Sequence, residues 1–368
     1  MKPRKDIKVV VGMSGGVDSS VTAALLVEQG FQVIGVTMKT YDFDEVGGNV
    51  ANEASCCGLG AIHDARLVAA TLGIPHYVVD FREAFGTEVI GNFVSEYLNG
   101  RTPNPCVICN RSIKWGKLIE KAKSLGAEFI ATGHYARIRY DVQRNRYVVS
   151  RGRYQQKDQS YALWAVNQDA LRMTMFPLGE MTKPEVRELA TRHGLRNAEK
   201  DESFEICFVA DNNYERFLKE RVDHLGESLE GGELILDGRV VGEHRGYPFY
   251  TIGQRRGFGG FGKRMYVTAI ESQTNRVHIG EAESLLHSEL EASQVNWSAL
   301  EVPESSIRVQ AKVRYKDEAT PATLFGESLG RIRLKFDQPK RAITPGQSVV
   351  FYAEDDLLGG GVIDRILA

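Results

Sequence analysis

The sequence predicts an α/β protein in three parts: a doubly wound parallel sheet over residues 1–215, a small central α+β domain over 216–288, and a C-terminal antiparallel β-barrel over 289–368. Three observations carry this reading. Between residues 7 and 134, short β-branched runs alternate with stretches of helical spacing, the pattern of a parallel sheet covered on both faces. From about 226 the chain turns glycine-rich with short strands. From 290 onward, runs such as IRVQAKVRY and GRIRLKFD alternate apolar with polar residues, as strands of a small barrel or sandwich do.

The elements follow in order. IKVVVGM at 7–13 is continuous rather than alternating, so it reads as a strand buried on both faces. A glycine-containing loop leads to a helix over 17–29, and FQVIGVTMK at 31–39 is a second buried strand. Residues 61–73 have helical spacing, with Gly73 as a C-terminal stop. HYVVD at 76–80 is a strand, 82–98 and 110–125 are helices, and EFIATGH at 128–134 is a strand. Residues 136–151 form a hairpin, and helical segments return near 168–175, 183–193 and 212–222.

The 368 residues are enough for two or three domains with substantial cores. Apolar content of 42% and charged content of 26% are those of an ordinary globular chain. No apolar run approaches the roughly 18–20 residues of a membrane helix, and the start MKPRKDIKVVVGMSGG meets glycines too early for a signal-peptide core. A cytoplasmic protein with no membrane partner is expected. Five cysteines, an odd number, argue against a disulfide framework and leave catalysis, metal binding or inert burial. The net charge of −2 excludes a globally basic nucleic-acid binder, but 137–157 is rich in Arg and Tyr, and QRRGFGGFGKR at 254–264 is a basic glycine-rich loop.

Chemistry starts at Gly12–Ser20, GMSGGVDSS. Glycines let backbone N–H groups approach an anion, and a helix N-terminus adds partial positive charge. The spacing matches neither GxxxxGK[ST] nor GxGxxG. An S-G-G-x-D-S run after a buried first strand resembles the ATP-pyrophosphatase (PP-loop) superfamily, of adenine nucleotide alpha hydrolase-like fold, whose members release pyrophosphate while adenylating a substrate oxygen. The resemblance implies ATP as cosubstrate, with Asp18 facing a Mg2+ ion that bridges the phosphates.

TPNPCVICN, residues 102–110, poses the second question. Cys106 and Cys109 stand as Cys-x-x-Cys, which suits half a metal site, a redox pair, or a nucleophile with a bystander. The spacing sets Cys109 near a helix N-terminus, where a thiolate is favoured. Cys207 stands in ESFEICFVAD. With these, ATGHYAR (131–137), KDQSYALW (157–164), YTIGQRRGFG (250–259) and TPGQSVVFY…LGGGVI (344–363) occur in order. Over essentially its whole length the chain resembles the tRNA-specific 2-thiouridylases, which install sulfur at C2 of the wobble uridine.

The resemblance implies the following roles. Cys207 carries a persulfide sulfur and Cys109 completes its release through a transient disulfide. Gly12, Met13, Ser14, Gly15, Gly16, Val17, Asp18, Ser19, Met38 and Gly133 line the ATP site. Asn104, Pro105 and Cys106 hold the target base. His134, Lys157, Asp158, Gln159, Arg314, Tyr315 and Gln347 meet the tRNA. The partners implied are tRNAs for Lys, Glu and Gln, and a cysteine desulfurase or sulfur-relay protein. Plain alternatives stand beside these: His134 as a strand-end histidine that satisfies a backbone carbonyl, Lys157 and Asp158 as a solvated charge pair, and Arg314 and Tyr315 as exposed strand.

The chain departs from the family in two places. Cys106 replaces the usual Asp after TPNP, and a thiol with a reference pKa near 8.5 cannot do the proton work of a carboxyl near 3.9. Phe204 replaces a glutamine close to Cys207. Cys106 also opens an alternative in which Cys106, Cys109 and Cys207 hold an iron–sulfur cluster, or in which Cys56 or Cys57 completes a zinc site. Thiol chemistry is the favoured reading. The rivals are a PP-loop amide ligase or amidotransferase, and an RNA-binding protein with degenerate catalysis. A movable segment around 200–210 is expected to bring Cys109 and Cys207 together.

Overall fold

A computed structural model describes residues 2–42, 59–200, 206–327 and 330–367. Strands β1 (Lys8–Gly12), β2 (Gln32–Lys39), β3 (His76–Asp80) and β4 (Phe129–Ala131) run parallel. The hairpin β5 (Ala136–Asp141) and β6 (Arg146–Arg151) then leaves the sheet, and β7 (Thr174–Met175) returns to it as the fifth strand. The order is β3-β2-β1-β4-β7.

Alternation along β1 explains the double winding. Val9 and Val11 face a cluster with Val21, Ala65 and Val186, from helices Val17–Glu28, Leu59–Leu72 and Lys183–Arg192. Val10 faces the opposite cluster with Trp115, Leu118 and Leu171. All three valines are fully buried, each contributing about 1.5–3 kcal/mol.

Two expectations need correction. The helix placed at 110–125 begins at Pro105 and runs to Ser124, with Cys109–Lys117 in the wider π form. Proline lacks the N–H that a first-turn residue leaves unpaired anyway, so the second proline of TPNP starts the helix. The segment 168–175 is helical only over Gln168–Arg172, and its end pairs with Ile130 and Ala131 as β7.

The central domain is a sheet of β8 (Gly232–Leu236), β9 (Arg239–His244), β10 (Tyr266–Glu271) and β11 (Arg276–Gly280), ordered β10-β11-β8-β9. The last six strands are β12 (Leu286–Trp297), β13 (Ile307–Lys312), β14 (Thr320–Gly326), β15 (Ile332–Arg341), β16 (Ser348–Ala353) and β17 (Asp356–Ile366). They are antiparallel, and pairing of β12 with both β15 and β17 closes them into a barrel.

The barrel is tied into the first domain. β6 pairs with β17 at Ser150 and Asp356, and Arg139 binds both oxygens of Asp356 at 2.7 Å. A Cβ on Gly360 would lie 2.6 Å from the ring of Trp164. The LGGG run thus lets that indole lie flat on the barrel wall, its N–H donating to Ser348 Oγ at 3.0 Å.

Candidate active site

The loop 13–16 leaves the C-terminal end of β1, between β2 and β4. Strand order reverses there, which is where open α/β sheets bind ligands. Gly15 has φ +73°, and a Cβ on it would lie 2.3 Å from the Ala61 carbonyl oxygen. Ser19 Oγ accepts from Ser14 N at 3.2 Å and donates to Gly16 O at 3.0 Å, curling the loop onto the helix. The helix begins after Gly16 with no side-chain cap, so its first amides suit an anion. Gly133, beyond β4, is pressed against that first turn: a Cβ would lie 2.8 Å from Ser19 N.

Asp18 is held from two sides. Its Oδ1 accepts from Lys183 Nζ at 2.7 Å and from Tyr135 OH at 2.8 Å. Lys183 is 7% exposed and opens a helix whose start is fixed by a capping box between Thr182 and Glu185. Asn197 donates to Gly15 O at 3.0 Å and to Ser20 Oγ at 2.8 Å, bracing the loop from behind. Met13 departs from the expected ligand-lining role. Its side chain packs beside Gly35 in the core, its N–H bonds Val36 O, and its carbonyl takes the Thr37 hydroxyl at 2.8 Å. Val17 is likewise buried in the core and offers the site only its backbone. Met38 is half-buried near the end of β2.

The cysteines lie along the helix over 105–124 and the segment after 206. Cys106 occupies the first turn and is exposed, whereas Cys109 is one turn further in and half-buried, where the π segment starts. The early start of this helix corrects the sequence expectation: the end of the dipole lies at Cys106 rather than at Cys109. Cys109 and Cys207 both border one cluster containing Phe85, Phe93, Ile108, Phe208 and Phe217. Tyr41 OH donates to the Cys207 carbonyl at 2.6 Å. Among the described residues, no group of three or more His, Cys, Asp or Glu is arranged to hold a metal. The three-cysteine cluster therefore finds no ready ligand set there. Cys56, Cys57, Phe204 and much of the 200–210 segment lie outside the described residues.

The segment before Pro105 rests on the barrel. Thr102 N donates to Pro345 O at 2.9 Å, and Gln347 Nε2 donates to the carbonyls of Thr102 and Pro103 at 3.1 and 2.9 Å. A Cβ on Gly346 would strike the Thr102 carbonyl oxygen at 2.7 Å. A groove follows this seam, lined by Asn104, Val107, Arg111, Gln294 and Ser348. Tyr315 stands 42% exposed beside it, its ring centroid 6.2 Å from that of Tyr161, next to exposed Arg314.

The residues expected to meet tRNA divide into two groups. Lys157, Arg314 and Tyr315 reach the surface wholly or in part. His134 is 8% exposed: Nδ1 lies 2.8 Å from Thr132 Oγ1, Nε2 lies 3.4 Å from Lys114 Nζ, and Trp115 and Phe176 flank the ring. Burial first, then the charge of Lys114, holds its pKa well below the ordinary histidine value. Its ring is engaged inside the protein, by side chains rather than by the backbone carbonyl of the plain alternative. Asp158 is buried and accepts from Gly152 N, Ser160 N and Ser160 Oγ, stapling a turn. Gln159 Oε1 accepts from Tyr135 N at 3.0 Å, so it steadies the residue that holds Asp18. Gln347 clamps the 102–103 backbone. All four side chains make hydrogen bonds within the protein, His134 and Asp158 buried and Gln159 and Gln347 half-buried.

Comparison with known proteins follows from this geometry. Three family models match in order: the tRNA methyl transferase HUP domain over 7–211, its PRC-barrel domain over 215–281, and an aminomethyltransferase beta-barrel domain over 287–363. The chain is 51% identical over 362 residues to tRNA-specific 2-thiouridylase MnmA of Salinibacter ruber, covering 98% of this chain and 94% of that protein. It is 50% identical over 365 residues to the protein of that name from Carboxydothermus hydrogenoformans, covering 98% of each. The chain belongs to the tRNA-specific 2-thiouridylases. A solved 4-thiouridine synthetase–RNA complex is 18% identical over 60% of this chain and 51% of that one, at a TM-score of 0.38, too distant to bear on the reading.

For a thiouridylase the sequence reading missed Tyr41, Tyr135, Lys183 and Asn197. The capping box T-x-x-E was a legible helix start and would have set Lys183 in its first turn. Nothing in the local pattern pointed Lys183 at Asp18, 165 residues earlier.

Proposed function

We propose that this chain carries out ATP-dependent 2-thiolation of the wobble uridine, position 34, of tRNA, acting in the cytoplasm on the tRNAs for Lys, Glu and Gln. The observation that carries the reading is full-length identity to thiouridylases joined to an uncapped helix N-terminus over a braced Asp18. The three parts expected, 1–215, 216–288 and 289–368, divide the work between catalysis and grip on RNA.

ATP fits the loop. Gly12, Ser14 to Ser19, Met38 and Gly133 would hold it, with backbone amides and Ser14 meeting the phosphates. One Asp18 oxygen is occupied by Lys183 and Tyr135, so the carboxylate suits a Mg2+ ion that arrives on the phosphates rather than one caged by protein. Bound there, the ion neutralises phosphate charge.

The uridine C2 oxygen attacks the α-phosphorus, forming a P–O bond and releasing pyrophosphate. The terminal sulfur of a Cys207 persulfide then attacks C2. A C–S bond forms, the C–O bond breaks, and AMP leaves. Cys109 thiolate attacks the inner sulfur; the S–S bond breaks toward the sulfur on C2, leaving 2-thiouridine and a Cys109–Cys207 disulfide. A dithiol reductant returns two electrons, and a cysteine desulfurase or relay protein reloads Cys207. The target base must leave its stack to reach Asn104 and Cys106.

The test is 2-thiouridine formation in unmodified tRNA by anaerobically prepared protein. Cys109→Ser and Cys207→Ser are expected to be inactive and Cys106→Ser active. Loss in all three, with iron in the active protein, would overturn the persulfide steps.

A further inference from the structure

Cys207 is fixed from both sides by residues that the reaction scheme does not name. Its carbonyl accepts the 2.6 Å hydrogen bond from Tyr41, whose side chain is only 3% exposed. The next residue, Phe208, is sunk in an aromatic box, with ring centroids 5.6 Å from Phe85, 5.2 Å from Phe93 and 5.3 Å from Phe217. Tyr41 packs on the same box, 5.9 Å from Phe85. The phenol side of this bond is shielded from water by the burial of Tyr41, so losing the hydroxyl leaves the Cys207 carbonyl without its fixed donor.

Tyr41 stands two residues beyond the end of β2 and three beyond Met38, at the nucleotide end of the sheet. The backbone just after it is clamped. Asp42 takes Lys39 Nζ at 2.6 Å and also pairs with Arg82, which in turn holds Asp80 at 2.6 Å, at the C-terminal end of β3. The strand that borders the ATP loop thus ends in a braced phenol whose hydroxyl reaches the cysteine segment 166 residues later.

We propose that Tyr41 is a positioning residue that sets Cys207 in register with the adenylated uridine. The proposal rests on the reading of Cys207 as the sulfur carrier. Because the contact is to the backbone, Tyr41 acts on where the sulfur stands rather than on its reactivity, and it has no part in forming the adenylate.

Tyr41→Phe keeps the ring and removes one hydroxyl. The experiment follows pyrophosphate release and 2-thiouridine formation together, in single turnovers of persulfide-loaded full-length protein with unmodified tRNA and ATP, beside Cys207→Ser. In Tyr41→Phe, pyrophosphate release, which reports the adenylate, is expected to stay within about twofold of the parent. Sulfur transfer is expected to slow about tenfold, as for one lost hydrogen bond, so that 2-thiouridine and AMP lag behind pyrophosphate. The KM values for ATP and tRNA are expected to be unchanged. Parental timing of 2-thiouridine after pyrophosphate in Tyr41→Phe, with Cys207→Ser inactive in thiolation, overturns the proposal alone. A Cys207→Ser protein that still thiolates overturns the sulfur-carrier reading and the proposal with it. A Tyr41→Phe protein that melts far below the parent overturns it in favour of a purely structural bond.

Discussion

At the nucleotide end of the site, Gly12 to Ser19 come from one unbroken stretch between a strand and its helix. At the proposed sulfur end, Cys109 and Cys207 lie in segments 98 residues apart by number and border one aromatic cluster, with Tyr41 arriving from a third segment. The first end is shaped chiefly by the backbone, with a positive-φ glycine, an uncapped helix start and a strand end pressed against it, and is braced from behind by Asn197, Lys183 and Tyr135. The second is held by side chains packed from distant parts of the chain. Adenylation needs fixed amides aimed at phosphate, whereas a sulfur carrier must be loaded, discharged and re-reduced. The contrast matches those needs.

Breaking the nucleotide end should have the largest effect. Asp18→Asn is expected to lower both pyrophosphate release and 2-thiouridine formation by about 100-fold, as for loss of one preorganised charge. If only thiolation fell, the division between the two ends would be wrong. Gly133→Ala sharpens the same point, since the new methyl meets the Asp18 and Ser19 backbone below 3 Å. A cost of about 1–3 kcal/mol is expected, as for overpacking elsewhere, read as a lower melting temperature and a raised KM for ATP.

A smaller effect comes from His134, beside Gly133. Its folded pKa is depressed, so the unfolded chain takes up the proton first, and the associated stability is present above about pH 6.5 and lost as pH falls below it. The slope approaches about 1.4 kcal/mol per pH unit. Melting curves from pH 7 to 5 are expected to be flatter for His134→Gln, and an unchanged slope would refute a neutral buried imidazole. The smallest expected effect belongs to Gln347→Ala, which removes two bonds to the Thr102–Pro103 backbone worth about 1 kcal/mol each. The KM for tRNA should rise several-fold with ATP kinetics unchanged. Loss of ATP use would mean that the barrel clamp reaches the nucleotide end too.

The same contrast explains what was legible in the sequence. β1 and β2 are continuous β-branched runs, and the glycine loop sits where chain direction reverses, so that end could be read from neighbouring residues. β7 could not, because Thr174 and Met175 are too short a run to show any period. The helix start at Pro105 lies ahead of the expected residue 110, because a proline fits the first turn of a helix as readily as it fits a loop. Asp18's partners lie 117 and 165 residues away, and Gln347's carbonyl targets more than 240 residues back. Local spacing carries no record of such pairings. His134, Asp158, Gln159 and Gln347 were placed at the RNA surface by motif, yet each side chain is engaged within the protein.

The seam between β6 and β17 also bears on how the chain is made. Ser150 meets Asp356 across 206 residues of sequence. A ribosome delivers the β5–β6 hairpin 206 residues before the neighbour it pairs with. In the interval the nascent chain carries a strand with an unfilled edge, the kind of surface that pairs with the wrong partner. The nucleotide half is therefore open to mispairing on the ribosome until the strand that shields this edge has emerged from the exit tunnel.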